Sequence, residues 1–276
     1  MSPNKTDKEL AFLHDLYVEP DWSERFAALA DEHLEPLKKG RILYVVTGTG
    51  GHALAMLERA GKDTTLVGID ESEERLVLAR AKAAALGISG RTEFHQAQLE
   101  EFDFDDARFD LVLGDASLIA PERLPEMCAE MVRVAVPGGG VALSVATWSS
   151  FGEFFSIYWE TLLSAELADY APMVERLIAE LPTPSDVETL FAREGISELQ
   201  SWTSREEFIY ASGEAFVDSP LITSFLLQSW LEPLPDEAAR QRVRQQVMRI
   251  LDDERNGSDF VLSVKATLVV GRKPEG

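Results

Sequence analysis

A glycine-rich stretch, Thr47-Gly48-Thr49-Gly50-Gly51, follows the apolar run Ile42–Val46 and leads directly into a segment of helical periodicity. Roughly twenty residues further on, a second apolar run ends in Val67-Gly68-Ile69-Asp70. Glycine suits such a turn because the backbone can take conformations barred to other residues, and because a ligand can approach a main chain that carries no Cβ. The helix that follows offers unpaired N–H groups to an anionic ligand group. A carboxylate at the end of the neighbouring strand can accept hydrogen bonds from the vicinal hydroxyls of a ribose. Together these features describe a cradle for a nucleoside-containing ligand, the bland alternative being a tight turn and a surface aspartate. Gly48-x-Gly50-x-x-Ala53 also fits the dinucleotide fingerprint. A short-chain dehydrogenase, however, needs a Tyr-x-x-x-Lys pair, and none of Tyr17, Tyr44, Tyr158, Tyr170 or Tyr210 has lysine four residues on.

Acid–base candidates are few. His14 and Tyr17 lie in an amino-terminal helical cap and are candidates for catalysis, set against a surface or packing role. His52 opens the helix after the turn, where it is either exposed or placed to polarise a ligand carboxylate. His33 and His95 read as structural or exposed. A run of aromatic residues, Trp148, Phe151, Phe154, Phe155, Tyr158 and Trp159, follows the fifth strand. Part of it has helical spacing and suits core packing; its place after a strand end makes Trp148, Phe151, Phe155 and Tyr158 candidates for an apolar acceptor pocket. The single cysteine, Cys128, sits among apolar helical positions and reads as a buried, inert thiol. No His, Cys and acidic residues have metal-ligand spacing, so no metal is expected.

The elements that must position these residues alternate regularly. Helices are expected over Asp7–Tyr17 and Asp21–Lys39, with Pro20 and Asp21 opening the second. Strands are expected at Arg41–Val46, Thr64–Ile69, Thr92–Ala97, Phe109–Leu113 and Val141–Thr147. Helices lie between them at Thr49–Ala60, from the Ser72 cap to Leu86, and at Pro121–Val134. This rhythm implies right-handed crossovers and a doubly wound, mostly parallel α/β sheet. After Thr147 it changes: helical stretches at Phe151–Leu181, Pro184–Gly195 and Pro220–Asp253 surround strands at Ile196–Tyr210 and Asp259–Gly271. One domain is expected, made of a cap (residues 1–39), a ligand-binding core (40–148), helical insertions (149–182 and 212–256) and closing sheet elements (183–211 and 257–276). Ligands of open α/β sheets bind at the carboxyl edge.

The 276 residues include 26 Lys and Arg against 48 Asp and Glu, a net charge of −22, with 45% hydrophobic residues. Such a field repels nucleic-acid backbones and anionic membrane surfaces, so neither is an expected partner. The polar stretch at Met1–Lys8 lacks the apolar core of a signal peptide and no run is apolar enough to span a membrane, giving a cytoplasmic expectation.

Further segments resemble the class I S-adenosylmethionine-dependent methyltransferases. Phe109-Asp110-Leu111-Val112-Leu113 is similar to that family's fourth strand, and Val136-Pro137-Gly138-Gly139-Gly140-Val141 to the turn before its fifth. Phe94-His95-Gln96-Ala97-Gln98-Leu99 stands where the family has an adenine-contacting motif, and Asp15-Leu16-Tyr17 with Pro20-Asp21-Trp22 resembles the cap of its small-molecule branch, which includes quinone-biosynthesis members. The resemblance covers roughly residues 40 to 148 and implies a Rossmann-like sheet of seven strands whose last is antiparallel.

Carried over by position, it implies that Gly48 and Gly50 line the methionine portion of the cofactor, that Val46 and Thr49 of the same loop are also cofactor-binding, and that Asp70 holds the ribose. Glu71, Gln98 and Leu99 would meet the adenine, Gly114 and Asp115 would lie under the sulfonium, and Tyr17 would close the pocket. Two positions depart from the pattern: Tyr44 replaces the acid of the first strand and Val46 the first glycine of the loop. Asp115, one strand over, is the expected substitute for the acid. The implied activity is methyl transfer from S-adenosylmethionine to a small, hydrophobic or aromatic acceptor, yielding S-adenosylhomocysteine. The altered first motif favours the alternative of a divergent member that binds a ligand or partner without turnover. Other adenosylmethionine chemistry is a third reading, since fold does not fix reaction. Oligomeric state is left open, a homodimer being one option.

Overall fold

The computed structural model describes residues 5–254 and 258–275. The polar start of the chain at residues 1–4, and residues 255–257 at the boundary between the second insertion and the last strand, lie outside the described residues. In chain order the elements are α1 (Asp7–Leu13), a π-helical segment (His14–Ser23), α2 (Glu24–His33), β1 (Lys39–Val45), α3 (Gly51–Arg59), β2 (Asp63–Asp70), α4 (Glu73–Ala85), β3 (Thr92–Gln96) and β4 (Phe109–Asp115). Then come α5 (Leu124–Val134), β5 (Ala135–Thr147), α6 (Gly152–Ser164), α7 (Ala171–Glu180), α8 (Pro184–Arg193), β6 (Ser197–Tyr210), α9 (Gly213–Val217), α10 (Leu227–Leu231), α11 (Glu237–Glu254) and β7 (Phe260–Arg272).

The strands form one seven-stranded sheet in the order β3-β2-β1-β4-β5-β7-β6, with an antiparallel last strand. β1 runs parallel to β2 and to β4, so Val45 stands between Ile69 and Gly114. This register brings the carboxyl ends of β1, β2 and β4 level, and with them the glycine turn, Asp70 and Asp115. The order reverses at β1, where β2 lies to one side and β4 to the other, which is where an open α/β sheet leaves a crevice for a ligand. Ile42–Val45 of β1 and Leu111–Leu113 of β4 are buried, as expected of strands covered on both faces. Leu43, Val45, Val67, Ile69, Val112, Val141 and Leu143 pack with Met127, Cys128 and Met131 of α5 in one core. Cys128 is fully buried, and burial pushes its thiol up to about 12.

Three elements differ from the sequence expectation. Pro20 does not start a helix: it lies inside the π segment that joins α1 to α2, where the Glu24 N–H reaches back to the Glu19 carbonyl. Proline has no N–H and clashes with the preceding turn of a regular α-helix, and the wider π turn accommodates it. α2 stops at His33 rather than Lys39, since Leu34 is extended and Pro36 follows closely. β5 begins at Ala135, so Val136–Gly140 forms part of the strand. Pairing with β4 shifts from Phe109–Ala135 to Leu111–Gly140, an irregularity that absorbs the extra glycines.

The chain divides into two compact units. The first takes in the chain as far as Val145, then Thr183–Ser204 and the segment from Ala266 onward; the second is Ala146–Pro182 with Arg205–Lys265. The helical insertions expected within one domain thus fall in a unit of their own, to which parts of β6 and β7 also contribute. Its core is aromatic: Phe154 stacks on Trp230 with centroids 4.7 Å apart, and Phe151 and Phe155 meet the same indole edge-on.

Candidate functional site

The glycine turn links β1 to α3 at the carboxyl edge of the first unit. Gly48 and Gly50 both take the left-handed backbone, with φ of 57° and 85°. A Cβ at Gly48 would come within 2.7 Å of His14 Cε1, and one at Gly50 within 2.9 Å of the Ala79 Cβ in α4. The first glycine therefore admits the cap and the second admits a helix. Val46 shares the left-handed conformation at φ 58°, a strained position for a β-branched residue. Its side chain packs against the core of the first unit.

Asp70 is buried and closes the turn onto β2. Its Oδ2 accepts from the Gly48 N–H at 2.9 Å, its Oδ1 accepts from the Ser72 N–H at 2.9 Å, and Arg75 lies 3.6 Å away. Burial raises the pKa of its carboxyl, against the lowering effect of Arg75 and the two N–H groups. Asp115 ends β4, where its Oδ1 accepts from the Ser117 N–H at 3.0 Å. Burial raises its pKa too. Thr47 Oγ1, in the turn, is buried and makes no hydrogen bond among the described residues.

The cap reaches the turn through three residues. Trp22 Nε1 donates to Ser117 Oγ at 2.9 Å, pinning the π segment to the end of β4. Glu19 accepts from Thr49 Oγ1 at 3.0 Å and from the His52 N–H in the first turn of α3 at 3.2 Å. His14 packs over Gly48; burial, with Arg75 and Lys82 nearby, lowers its pKa to about 3, so it is neutral at ordinary pH. Lys82 of α4 pairs with Asp15 and donates to Thr49 Oγ1.

Tyr44 and His52 form a separate relay. Asp31 Oδ1 lies 2.8 Å from His52 Nε2, and the Tyr44 hydroxyl 2.8 Å from Nδ1. A carboxylate only accepts, so Nε2 carries a proton, and in the neutral ring Nδ1 then accepts from the phenol. Arg59 also binds Asp31, whose carboxyl stays at about 2 despite its partial burial because His52 and Arg59 hold it charged. His52 is thus committed on both nitrogens.

The remaining expected residues are placed as follows. Glu71 follows β2 and is clamped by both terminal nitrogens of Arg123, at 2.7 and 3.0 Å; Arg123 also binds Glu100. Gln98 is exposed, while the Leu99 side chain lies in the core, which leaves its main chain for any ligand contact. Gly114 meets α5, where a Cβ would lie 2.9 Å from Met127 Cε and 3.1 Å from Met131 Cε. Tyr17 is 45% exposed. His33 stacks on Trp202 at 3.9 Å. In the second unit Phe151, Phe155 and Tyr158 are packed inside, with the Tyr158 hydroxyl donating to the Trp230 carbonyl, whereas Trp148 is exposed. Three of the four rings expected in an acceptor pocket are therefore core residues of that unit. Glu19 and Arg123 had no motif to mark them; a cap acid beside proline was the available signal for the first. Among the described residues no cluster of His, Cys, Asp and Glu is arranged to hold a metal ion, and no helix is long and apolar enough to cross a membrane.

Known proteins similar to this chain are methyltransferases by name or share its fold. Residues 42–139 match a family model described as a methyltransferase domain. The ubiquinone/menaquinone biosynthesis C-methyltransferase UbiE of Geotalea daltonii is 31% identical over 141 residues, which are 51% of this chain and 58% of the relative. The chain thus spans less than two thirds of that relative's length. The demethylmenaquinone methyltransferase of Deinococcus radiodurans is 31% identical over 179 residues, 61% of this chain and 71% of the relative. Among solved structures, the Bacillus subtilis YcgJ protein superposes with a TM-score of 0.59 at 17% identity, covering 92% of this chain and all of its own, a likeness of fold.

Proposed function

The chain belongs to the class I S-adenosylmethionine-dependent methyltransferases, and from that membership we propose that it methylates a small hydrophobic or aromatic acceptor. The observation that carries this reading is the joint between Gly48 and Asp70, which sets a buried carboxylate beside a glycine turn at the reversal point of the sheet.

The residues present suit the cofactor. Each Asp70 oxygen spends one acceptor position on a backbone N–H and keeps another for a ribose hydroxyl. Thr47 Oγ1 is a buried polar atom that lacks a hydrogen bond among the described residues. Glu19 and Asp115 put two buried carboxyl groups around the turn; burial raises the pKa of each, and a ligand bearing an ammonium and a sulfonium would favour their charged forms. Bound there, S-adenosylmethionine supplies a methyl group already activated for in-line displacement. What the chain provides is alignment and exclusion of water, and alignment alone contributes on the order of 7–11 kcal/mol. His14, neutral and buried against Gly48, acts as a wall of the cofactor site in this reading.

The names of the relatives support an aromatic ring of the quinol type as acceptor. The net charge of −22 disfavours nucleic acid. The test is a thermal shift with S-adenosylmethionine and S-adenosylhomocysteine, followed by mass spectrometry of a demethylated quinol panel. Stabilisation of about 2.7 kcal/mol is expected at a hundred times Kd. No shift with either ligand, or a shift with NAD alone, overturns the reading.

A further inference from the structure

The amino-acid portion of S-adenosylmethionine ends in an ammonium group. Taking an ammonium into a buried site requires an anionic acceptor, because an unpaired charge there is strongly disfavoured. β1 meets the turn with Tyr44, a neutral phenol whose hydrogen goes to His52. Asp70 already has a cation beside it, Arg75 at 3.6 Å, and its remaining acceptor positions are those assigned to the ribose. Asp115 holds the Ser117 N–H and lies at the end of β4.

Glu19 is differently placed. It comes from the cap, its side chain is 14% exposed, and it lies directly over the turn; a Cβ at Gly51 would overlap its Oε1. Its hydrogen bonds come from a neutral hydroxyl and a neutral N–H. Among the described residues its only ion-pair contact is His14 Nδ1 at 4.0 Å, and that imidazole is neutral. The nearby Lys82 is taken up by Asp15. Lys82 acts on Glu19 only at a distance, so a buried carboxyl whose direct partners among the described residues are all neutral lies over a glycine turn, where it can receive a cation. Trp22, three residues on and bonded to Ser117, holds the segment in place.

We propose that Glu19 receives the ammonium of the cofactor's amino-acid portion, so that the cap supplies part of the cofactor site. This rests on the cofactor reading given above and names a residue that reading does not need. It also implies that the cofactor orders the cap, since one carboxylate would join the ligand to both the π segment and α3.

The experiment compares two ligands by titration calorimetry. S-adenosylhomocysteine carries the amino-acid portion; 5′-methylthioadenosine has the same nucleoside without it. Glu19→Gln keeps the shape and can still meet Thr49 and His52. It is expected to weaken S-adenosylhomocysteine by roughly ten- to a hundredfold, the loss of a charged hydrogen bond, and to leave methylthioadenosine unchanged. Unchanged S-adenosylhomocysteine affinity overturns the proposal. Tighter binding also overturns it, showing instead that Glu19 competes with the ligand carboxylate for the α3 N-terminus. An equal loss for both ligands overturns it in favour of a purely structural contact. If the wild-type protein binds neither ligand, the cofactor reading itself falls and the assignment with it; if it binds methylthioadenosine and not S-adenosylhomocysteine, only the Glu19 assignment falls.

Discussion

The Gly48 N–H donates to Asp70 Oδ2 across 2.9 Å, so the glycine turn after β1 is bolted to the end of β2 by the same carboxylate that would bind a ribose. Asp70 also takes the Ser72 N–H, which fixes the entry to α4. Asp70→Ala is therefore expected to act twice. Urea unfolding should show a loss of roughly 1–3 kcal/mol from the stranded N–H groups. Calorimetry should show loss of S-adenosylhomocysteine binding. Full affinity in a folded Asp70→Ala protein would remove the carboxylate from the cofactor site.

Val46 has a left-handed backbone, φ 58°, and this reverses the usual ranking of alanine and glycine. Val46→Ala loses packing and keeps the strain, whereas Val46→Gly loses the same packing and relieves it. The glycine variant is expected to be the more stable of the two by about 1 kcal/mol, where an ordinary strand position would favour alanine. Chemical denaturation of the pair measures this directly.

Tyr44 donates to His52 in the relay that ends on Asp31 and Arg59. Tyr44→Phe leaves His52 Nδ1 without its donor in a pocket where the His52 side chain is only 9% exposed. A destabilisation of about 1–3 kcal/mol is expected from the unsatisfied acceptor. A neutral outcome in thermal and urea unfolding would mean that water replaces the phenol.

His14 gives a pH dependence of definite sign. Burial lowers its pKa to about 3, against an ordinary 6.5. Between those values the unfolded chain binds a proton that the folded chain refuses, so stability rises with pH across the window and falls as acid is added. Glu19, Asp70 and Asp115 have raised pKa values, which act in the opposite sense as pH rises above the ordinary carboxylate range. Arg75 and Lys82 also face the imidazole, so the comparison must be with a variant. His14→Gln is expected to flatten the slope of unfolding free energy against pH between about 3 and 6.5. An unchanged slope would show that His14 is not held neutral.

Much of the scaffold could be read from the chain. The glycine turn, Asp70, the Ser72 cap of α4 and the alternation of apolar strands with helices are local signals, produced by interactions within a few residues. They led to the doubly wound, mostly parallel sheet and to the methyltransferase resemblance. Local signals failed where the outcome depended on something distant. Pro20 marks a helix start by propensity, yet the contacts of the cap carry it through in a π turn. Pro137-Gly138-Gly139 looks like a turn, yet pairing with β4 and the Lys273 backbone draws it into β5.

The chemistry of the site divides the same way. Residue types and spacing along β1, the turn and β2 specify a nucleoside cradle, because consecutive residues at a strand end must lie together once the strands pair. The contacts of Glu19, His52, Gly114 and the aromatic run are set by packing between segments far apart in the chain. Glu19 meets a turn some thirty residues away. His52 is bound on both sides by residues of β1 and α2. Gly114 makes room for methionines of α5. Phe151, Phe155 and Tyr158 are drawn into the second unit's core by Trp230, more than seventy residues on from Tyr158. Spacing along a chain constrains only neighbours, whereas a side chain's partner across the fold depends on the whole core closing around it.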